Sequence, residues 1–144
     1  MREAIALVLL VLLISLTAAV AATDAQAASH PKLSKRCVRL AQRGVPRPAA
    51  RWAPLVNRYW SRWLWKYKHR RLRTWELRKA LWVIWRESRG NPRDVTSASG
   101  CTGLFQLLRA HGHGRELTNP RTNISIAGQH FAFKGWAPWR ATAW

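Results

Sequence analysis

The chain has 144 residues, with 25 Lys and Arg against 6 Asp and Glu, and its formal net charge is +19. This length fits one domain with a modest core, and 2 Cys are too few for a zinc site without histidine ligands. So positive a chain needs a polyanionic partner. Nucleic acid, an anionic membrane and an anionic wall polymer all have the required charge.

The first 27 residues have the layout of a secretory signal peptide. Arg2 gives a short basic start, residues 4–22 are apolar, and Ala25-Gln26-Ala27 is a small-residue cleavage site. The alternative is an uncleaved membrane anchor, because the apolar run is near the ~18 residues that span a bilayer. Both interpretations place the protein outside the cytoplasm, secreted or in the cell envelope. We therefore expect wall polymers or a membrane surface as partners, and no nucleic acid.

Residues 28–50 form a basic segment that continues the chain after the signal peptide. The pattern predicts a short helix over residues 33–43, because Gly44 then supplies a C-terminal stop. Pro46 and Pro48 follow and indicate a linker. We expect no chemistry from this segment.

Residues 51–73 interleave aromatic side chains with Arg and Lys, and two roles stay open for them. An amphipathic helix is predicted after Pro54. Its rings could stack on sugars while its cations contact wall anions or a membrane interface. Alternatively, the rings are core partners of the next helix, because residues 74–144 alone make a thin core. The aromatic and apolar residues at helical spacing are Trp52, Val56, Tyr59, Trp60 and Trp63.

A second helix is predicted over residues 75–89, capped by Thr74 and ended by Gly90. Glu87 lies in its last turn and continues an apolar stripe. Desolvation on that stripe and the helix macrodipole both favour the protonated carboxyl, which is the form that a general acid needs. The neighbours of Glu87 on its own face are Ala80, Val83 and Ile84.

The remaining carboxylates after residue 27 have ordinary surroundings in the sequence. Glu76 is flanked on its helical face by Arg73 and Lys79, so we predict that it is solvated. Asp94 lies in a polar turn, where a loop charge is the common role. Glu87 is therefore the candidate catalytic residue.

The stretch that begins at Glu87 resembles the signature of the lytic transglycosylases of the SLT type, which have a lysozyme-like fold. The resemblance covers residues 74–144. Its later part is similar to the family's Asp-Pro-x-x-Asn-Ile stretch, with Asn119 in place of Asp. It is also similar to the Gly-Trp-x-x-Trp motif with which some members end. The matching residues are Glu87-Ser88, Asn91-Pro92, Thr96-Ser97, Gly103-Leu104-Phe105-Gln106, Asn123-Ile124 and Gly135-Trp136 with Trp139.

The resemblance implies a mostly α, lysozyme-like helical domain with a substrate groove and a catalytic region at residues 74–144. Glu87 would be the catalytic acid and base. Many relatives have a tyrosine late in the domain that lines the substrate groove. Trp136 or Trp139 would line that part of the groove here. The resemblance also implies that Ser88 supports the loop next to Glu87. The substrate-binding residues that it implies are Ser88, Thr96, Ser97, Gln106, Asn123 and Trp136.

The expected activity is cleavage of the MurNAc–GlcNAc bond of peptidoglycan. Most glycosidases use two carboxylates, but this chain is short of acids, so a mechanism with one glutamate fits better. The substrate's N-acetyl group or the C6 hydroxyl of MurNAc would replace the second carboxylate. The family's activity implies 1,6-anhydro products and no cofactor, and we expect a monomer. A lysozyme-type hydrolase and a non-catalytic cationic wall- or membrane-binding protein remain alternatives.

Cysteine and histidine residues give two further expectations. In an exported chain Cys37 and Cys101 can form one disulfide, and the alternative is two free thiols. Cys101 stands where the family usually has alanine, which favours the disulfide. His111 and His113 lack an obvious third ligand, so we predict a polar loop and no metal site. His130 is expected to be structural.

Overall fold

The computed structural model describes residues 30–96 and 98–143. Most of them are helical, which confirms the mostly α class. The predicted signal peptide or anchor at residues 1–27 lies outside the described residues. Among those that are described, no helix is both long enough and apolar enough to cross a bilayer. The helices are α1 (Lys35–Gln42), α2 (Arg47–Ala50), α3 (Ala53–Lys68), α4 (Thr74–Ser88) and α5 (Pro120–Lys134).

The basic segment contains one more helix than the sequence predicts. Helix α1 begins after Ser34, whose hydroxyl accepts from the backbone N–H of Cys37 at 3.3 Å. The predicted linker is wrong, because α2 forms there with Pro48 in its first turn. Its backbone packs against Gly90, where an added Cβ would collide with the Pro48 carbonyl. Helix α2 therefore packs against the C-terminal end of α4.

Trp60 of α3 lies at the centre of the core. Its ring is fully buried and stacks on Phe131 of α5, with 4.6 Å between ring centroids. Its indole N–H donates to the Ile124 carbonyl at 3.1 Å. Gly128 lets the two helices approach, because an added Cβ would lie 2.6 Å from Cδ1 of Trp60. The structural role proposed for the aromatic segment therefore holds for this residue.

The outer face of α3 keeps some aromatic surface. Trp63 is partly buried and donates to the Ser125 hydroxyl at 3.1 Å, whereas Trp65 is 44% exposed. The described residues from 31 onward form one compact unit, and α3 supplies its central ring. The region that resembles the transglycosylases thus shares its core with the segment before it.

Glu76 corrects a prediction. It is only 3% exposed rather than solvated. Its carboxylate accepts the backbone N–H of Arg73 at 2.9 Å and forms an ion pair with Arg70 at 3.0 Å. The turn between α3 and α4 brings Arg70 onto this carboxylate, while Glu76 caps the start of α4. The helical neighbours of Glu76 could not show either contact.

The chain after α4 forms a small irregular layer. An antiparallel hairpin pairs β1 (Val95–Thr96) with β2 (Cys101–Thr102), and Thr96 lies opposite Cys101. A 3-10 helix (Arg109–Gly112) leads to α5, which Asn119 caps through its side-chain oxygen. A second 3-10 helix (Ala137–Trp139) follows α5. These pieces surround the C-terminal end of α4.

Candidate active site

A cleft of about 760 Å³ opens at the C-terminal end of α4. The hairpin forms one side of the cleft, and the 3-10 helix that follows the hairpin forms another. The end of α5 and the segment after it form the remaining side. Its size is within the range of small-ligand sites. The chemically important side chains that line it are Glu87, Thr96, Cys101, Gln106, His130 and Trp139.

Glu87 enters the cleft from the last turn of α4 and is half-buried. The Thr142 hydroxyl donates to Oε1 of Glu87 at 2.5 Å. Thr142 is itself held in place, because Arg86 donates to its carbonyl at 2.7 Å and its own N–H donates to the Trp139 carbonyl at 3.0 Å. The carboxylate is therefore oriented by the C-terminal segment of the described chain.

Thr96 and Gln106 form a polar pair on the hairpin side of the cleft. The Thr96 hydroxyl donates to Oε1 of Gln106 at 2.5 Å, and Nε2 of Gln106 donates to the Gly103 carbonyl at 3.1 Å. Gln106 has a left-handed backbone with φ 44°, a conformation that is strained for a residue with a Cβ and that concentrates at functional sites. The structure thus brings Glu87, Thr96 and Gln106 to one cleft. Ser97 lies outside the described residues.

Ser88 lies behind the cleft wall. It is 4% exposed, and its hydroxyl bonds to the carbonyls of Ile84 at 3.0 Å and Leu104 at 3.1 Å. The position after Glu87 points into the core, so Ser88 is not placed to bind substrate. Its contacts fit the other role that the resemblance implies, support of the loop next to Glu87. Its bond to Leu104 joins α4 to the Gly-Leu-Phe-Gln segment.

Asn123 is also buried, and the prediction that it binds substrate is wrong for the same reason. Its Oδ1 accepts the N–H of Phe105 at 3.0 Å. Its Nδ2 donates to the carbonyls of Thr102 at 2.9 Å and Leu117 at 3.0 Å. These bonds satisfy the donors and the acceptor of a fully buried amide. Asn123 holds the hairpin against α5.

Trp139, rather than Trp136, borders the cleft, but it is only 4% exposed and belongs to the core. Its indole N–H donates to the Phe105 carbonyl at 3.0 Å. Trp136 packs inward on Phe131, with 4.7 Å between ring centroids, and Lys79 lies over its face at 5.0 Å. Trp136 does not line the cleft, so the prediction that it binds substrate there is wrong. Trp139 borders the cleft without an open ring face.

Both cysteines are free thiols, so the predicted disulfide is wrong. Cys37 lies in α1, where hydrogen bonds from the side chains of Ser34 and Thr74 lower the pKa of its thiol. Cys101 lies in the hairpin and lines the cleft. The two thiols belong to different elements with different neighbours, which the sequence spacing alone could not show.

A histidine pair in the cleft was missed by the sequence analysis. His111 and His130 meet edge to face, with 4.4 Å between ring centroids, and both line the cleft. Desolvation lowers the pKa of each, and the nearby Lys134 charge lowers it further. His111 was predicted to lie in a polar loop and His130 to be structural. No local pattern pairs residues from a loop and a helix.

Glu87 is the only carboxylate of the described residues that lines the cleft. Glu76 is buried with Arg70. Asp94 accepts from Nε2 of Gln106 at 3.3 Å outside the lining, and Glu116 is exposed beside Thr118. Over the same described residues, no group of three or more His, Cys, Asp or Glu could hold a metal ion.

Comparisons with known proteins found no matching family model, no matching curated protein and no matching solved structure. The resemblance to the SLT-type transglycosylases is therefore carried by the quoted motifs alone.

Proposed function

We propose that the protein cleaves the MurNAc–GlcNAc glycosidic bond of peptidoglycan, with Glu87 as its single acid and base. The observation that carries this proposal is that Glu87 is the only described carboxylate in the cleft. A glycosidase with two carboxylates needs a second one across the scissile bond. A substrate group must therefore take that role.

The chemistry proceeds in two proton transfers through one residue. Glu87 donates its proton to the glycosidic oxygen as the bond to C1 of MurNAc breaks, and positive charge develops at C1. The C6 hydroxyl of the same MurNAc attacks C1 and gives its proton to the Glu87 carboxylate. The products are a 1,6-anhydro-MurNAc end and a new GlcNAc hydroxyl, and Glu87 is again protonated.

Neighbouring polar groups support this assignment of roles. The Thr142 hydroxyl bonds to Oε1 of Glu87, which would leave Oε2 to exchange a proton with the substrate. Thr96 and Gln106 place a hydroxyl and an amide on the hairpin side of the same cleft. They bind the N-acetyl and hydroxyl groups of the sugar near the scissile bond.

The finer fold and the location belong to the same proposal. A lysozyme-like architecture is supported by a helix that ends at the candidate glutamate with a small hairpin beside it. Export by residues 1–27, by cleavage or by anchoring, would deliver the protein to the cell envelope. The +19 net charge suits a polyanionic wall.

Digestion of purified peptidoglycan tests the proposal. The wild-type protein and the exposed control Glu116→Gln should release soluble fragments, whereas Glu87→Gln should release none. Mass spectrometry should find 1,6-anhydro-MurNAc ends. Reducing MurNAc ends would instead show a hydrolase with water as the acceptor. Equal release by Glu87→Gln would remove the enzymatic proposal and leave a cationic wall-binding protein.

A further inference from the structure

We propose that the outward face of α4 is a second binding site for a peptidoglycan strand, distinct from the cleft. We call it the Trp75 face. This inference rests on the proposed function for the identity of the polymer, but its evidence is separate. The residues of the Trp75 face are Trp75, Arg78, Trp82 and Arg86, with Ala143 at its end.

The aromatic part of the Trp75 face is a set of two rings beside a concave surface. Trp75 is 51% exposed. A hollow of about 310 Å³ lies between Trp75 and Trp82. A second hollow of about 560 Å³, which includes Arg43, lies on the other side of Trp75. A single exposed ring needs no explanation, but a tryptophan shared by two hollows is suited to a ligand that passes over it.

The spacing of the two tryptophans fits a sugar polymer. Trp75 and Trp82 are seven residues apart on one helix, so they lie on the same side and about 10 Å apart along its axis. That distance is close to the length of one β-linked disaccharide. Flat aromatic surfaces stack on the apolar faces of sugar rings. A glycan strand laid along α4 would therefore meet one ring for each disaccharide.

The cations of the Trp75 face complement the carboxylates of peptide stems. Arg78 donates to the carbonyls of Leu40 at 3.2 Å and Arg43 at 2.8 Å. These neutral partners fix the Arg78 guanidinium without cancelling its charge. Arg86 also donates to a backbone carbonyl, that of Thr142, at 2.7 Å. A guanidinium held in place binds a carboxylate with little loss of side-chain entropy.

The Trp75 face ends next to the cleft. Ala143 lines the hollow, and its neighbour Thr142 contacts Glu87 through its hydroxyl and Arg86 through its carbonyl. The C-terminal segment therefore separates the two sites by one turn of chain. A polymer held at both sites gains affinity through effective concentration. The Trp75 face would keep the enzyme on insoluble wall between cleavage events.

A membrane is the other surface that binds tryptophan and arginine together. The strand is favoured by the spacing of about 10 Å between Trp75 and Trp82 along α4, and by Arg78, which two backbone carbonyls hold in place. The test must nevertheless measure both probes. Trp65 provides a matched control, since it is an exposed tryptophan of similar accessibility on α3.

Sedimentation with insoluble purified peptidoglycan tests the inference, in the Glu87→Gln background so that the polymer is not consumed. Trp75→Ala should weaken binding roughly tenfold, as truncation of an aromatic anchor does. Trp65→Ala should leave binding unchanged, and Trp75→Phe should restore most of it. Circular dichroism melting checks that each variant is folded.

Two results would overturn the inference. If Trp75→Ala, Trp65→Ala and Trp75→Phe all bind peptidoglycan with the affinity of the parent protein, the Trp75 face does not hold the strand. A loss seen only with phosphatidylglycerol vesicles would assign it to membranes. Cleavage by Glu87→Gln would instead refute the proposed function. The ratio of Trp75→Ala to Trp65→Ala binding, taken before soluble fragments are released, would still decide the inference.

Discussion

The Thr142 hydroxyl donates a 2.5 Å hydrogen bond to Oε1 of Glu87. This bond connects the last turn of α4 to the C-terminal segment, two elements far apart in the chain. One carboxylate oxygen is engaged by the protein, so the other is the oxygen that would exchange a proton with the substrate. The orientation of the proposed acid therefore depends on a residue outside every motif.

Removal of that hydroxyl should slow the reaction. We expect Thr142→Val to lower kcat for peptidoglycan cleavage by about tenfold. The bond stabilises the carboxylate that forms as Glu87 gives up its proton, and a hydrogen bond to a charged group contributes about 1.5 kcal/mol or more. KM should change little. Thr142→Ser keeps the hydroxyl and should retain most of the activity. Equal kcat values for the valine and serine variants would show that the bond does not position Glu87.

Gly103 should be far less tolerant of a methyl group than Gly100. Both have positive φ, 78° and 65°. Around Gly100 there is open space, but a Cβ at Gly103 would lie 2.5 Å from the Leu117 carbonyl oxygen and also against the Asn123 amide. We expect Gly100→Ala to cost about 1 kcal/mol and Gly103→Ala about 2–4 kcal/mol of unfolding free energy. Urea denaturation measures both, and similar values would contradict the packing described.

Ser88 should contribute to stability rather than to substrate contact. Ser88→Ala removes the donor to Leu104 and leaves a buried carbonyl with one partner fewer. We expect a loss of about 1–3 kcal/mol in unfolding free energy. Ser99→Ala, at an exposed position, should change it by less than about 0.5 kcal/mol. A drop in affinity for peptidoglycan without a drop in stability would place Ser88 in the binding site after all.

The histidine pair should make stability depend on pH. Burial lowers the pKa of His111 and His130 below 6.5, so the unfolded chain takes up their protons first as the pH falls. Unfolding free energy should then be constant above about pH 7 and should decrease as the pH falls through 6.5 and below. The double variant His111→Gln/His130→Gln should lose much of this slope.

Thermal unfolding between about pH 5 and pH 8 measures this effect. His69→Asn, at an exposed position at the end of α3, is the control and should keep the slope. A slope that is unchanged in the double variant would assign the pH dependence to other groups.

Short-range signals at the ends of helices explain which part of the fold the sequence could predict. The helix predicted over residues 75–89 is observed at 74–88, because Gly90 and the left-handed Arg89 end it by short-range geometry. Glu87 was found from its neighbours three, four and seven residues away, which are also local. Thr96 and Gln106 came from a short motif whose hairpin brings them together.

Contacts between distant elements explain what the sequence could not predict. Asn123 looks the same in a motif whether it faces a sugar or the core. Only the arrangement of α5 against the hairpin decides that it is buried. Glu76 was predicted to be solvated because its ion-pair partner Arg70 lies in the turn before α4 and not on the same helical face. His111 and His130 meet through tertiary structure alone.

The fit of Trp60 against Gly128 constrains how this chain can diverge. The indole occupies the space in which any side chain at position 128 would have to lie. A descendant that gains a side chain at 128 must also reduce the ring at 60 or separate α3 from α5. These two positions should therefore change together in related sequences. Such a correlated pair would link the aromatic segment to the proposed catalytic region as parts of one inherited unit.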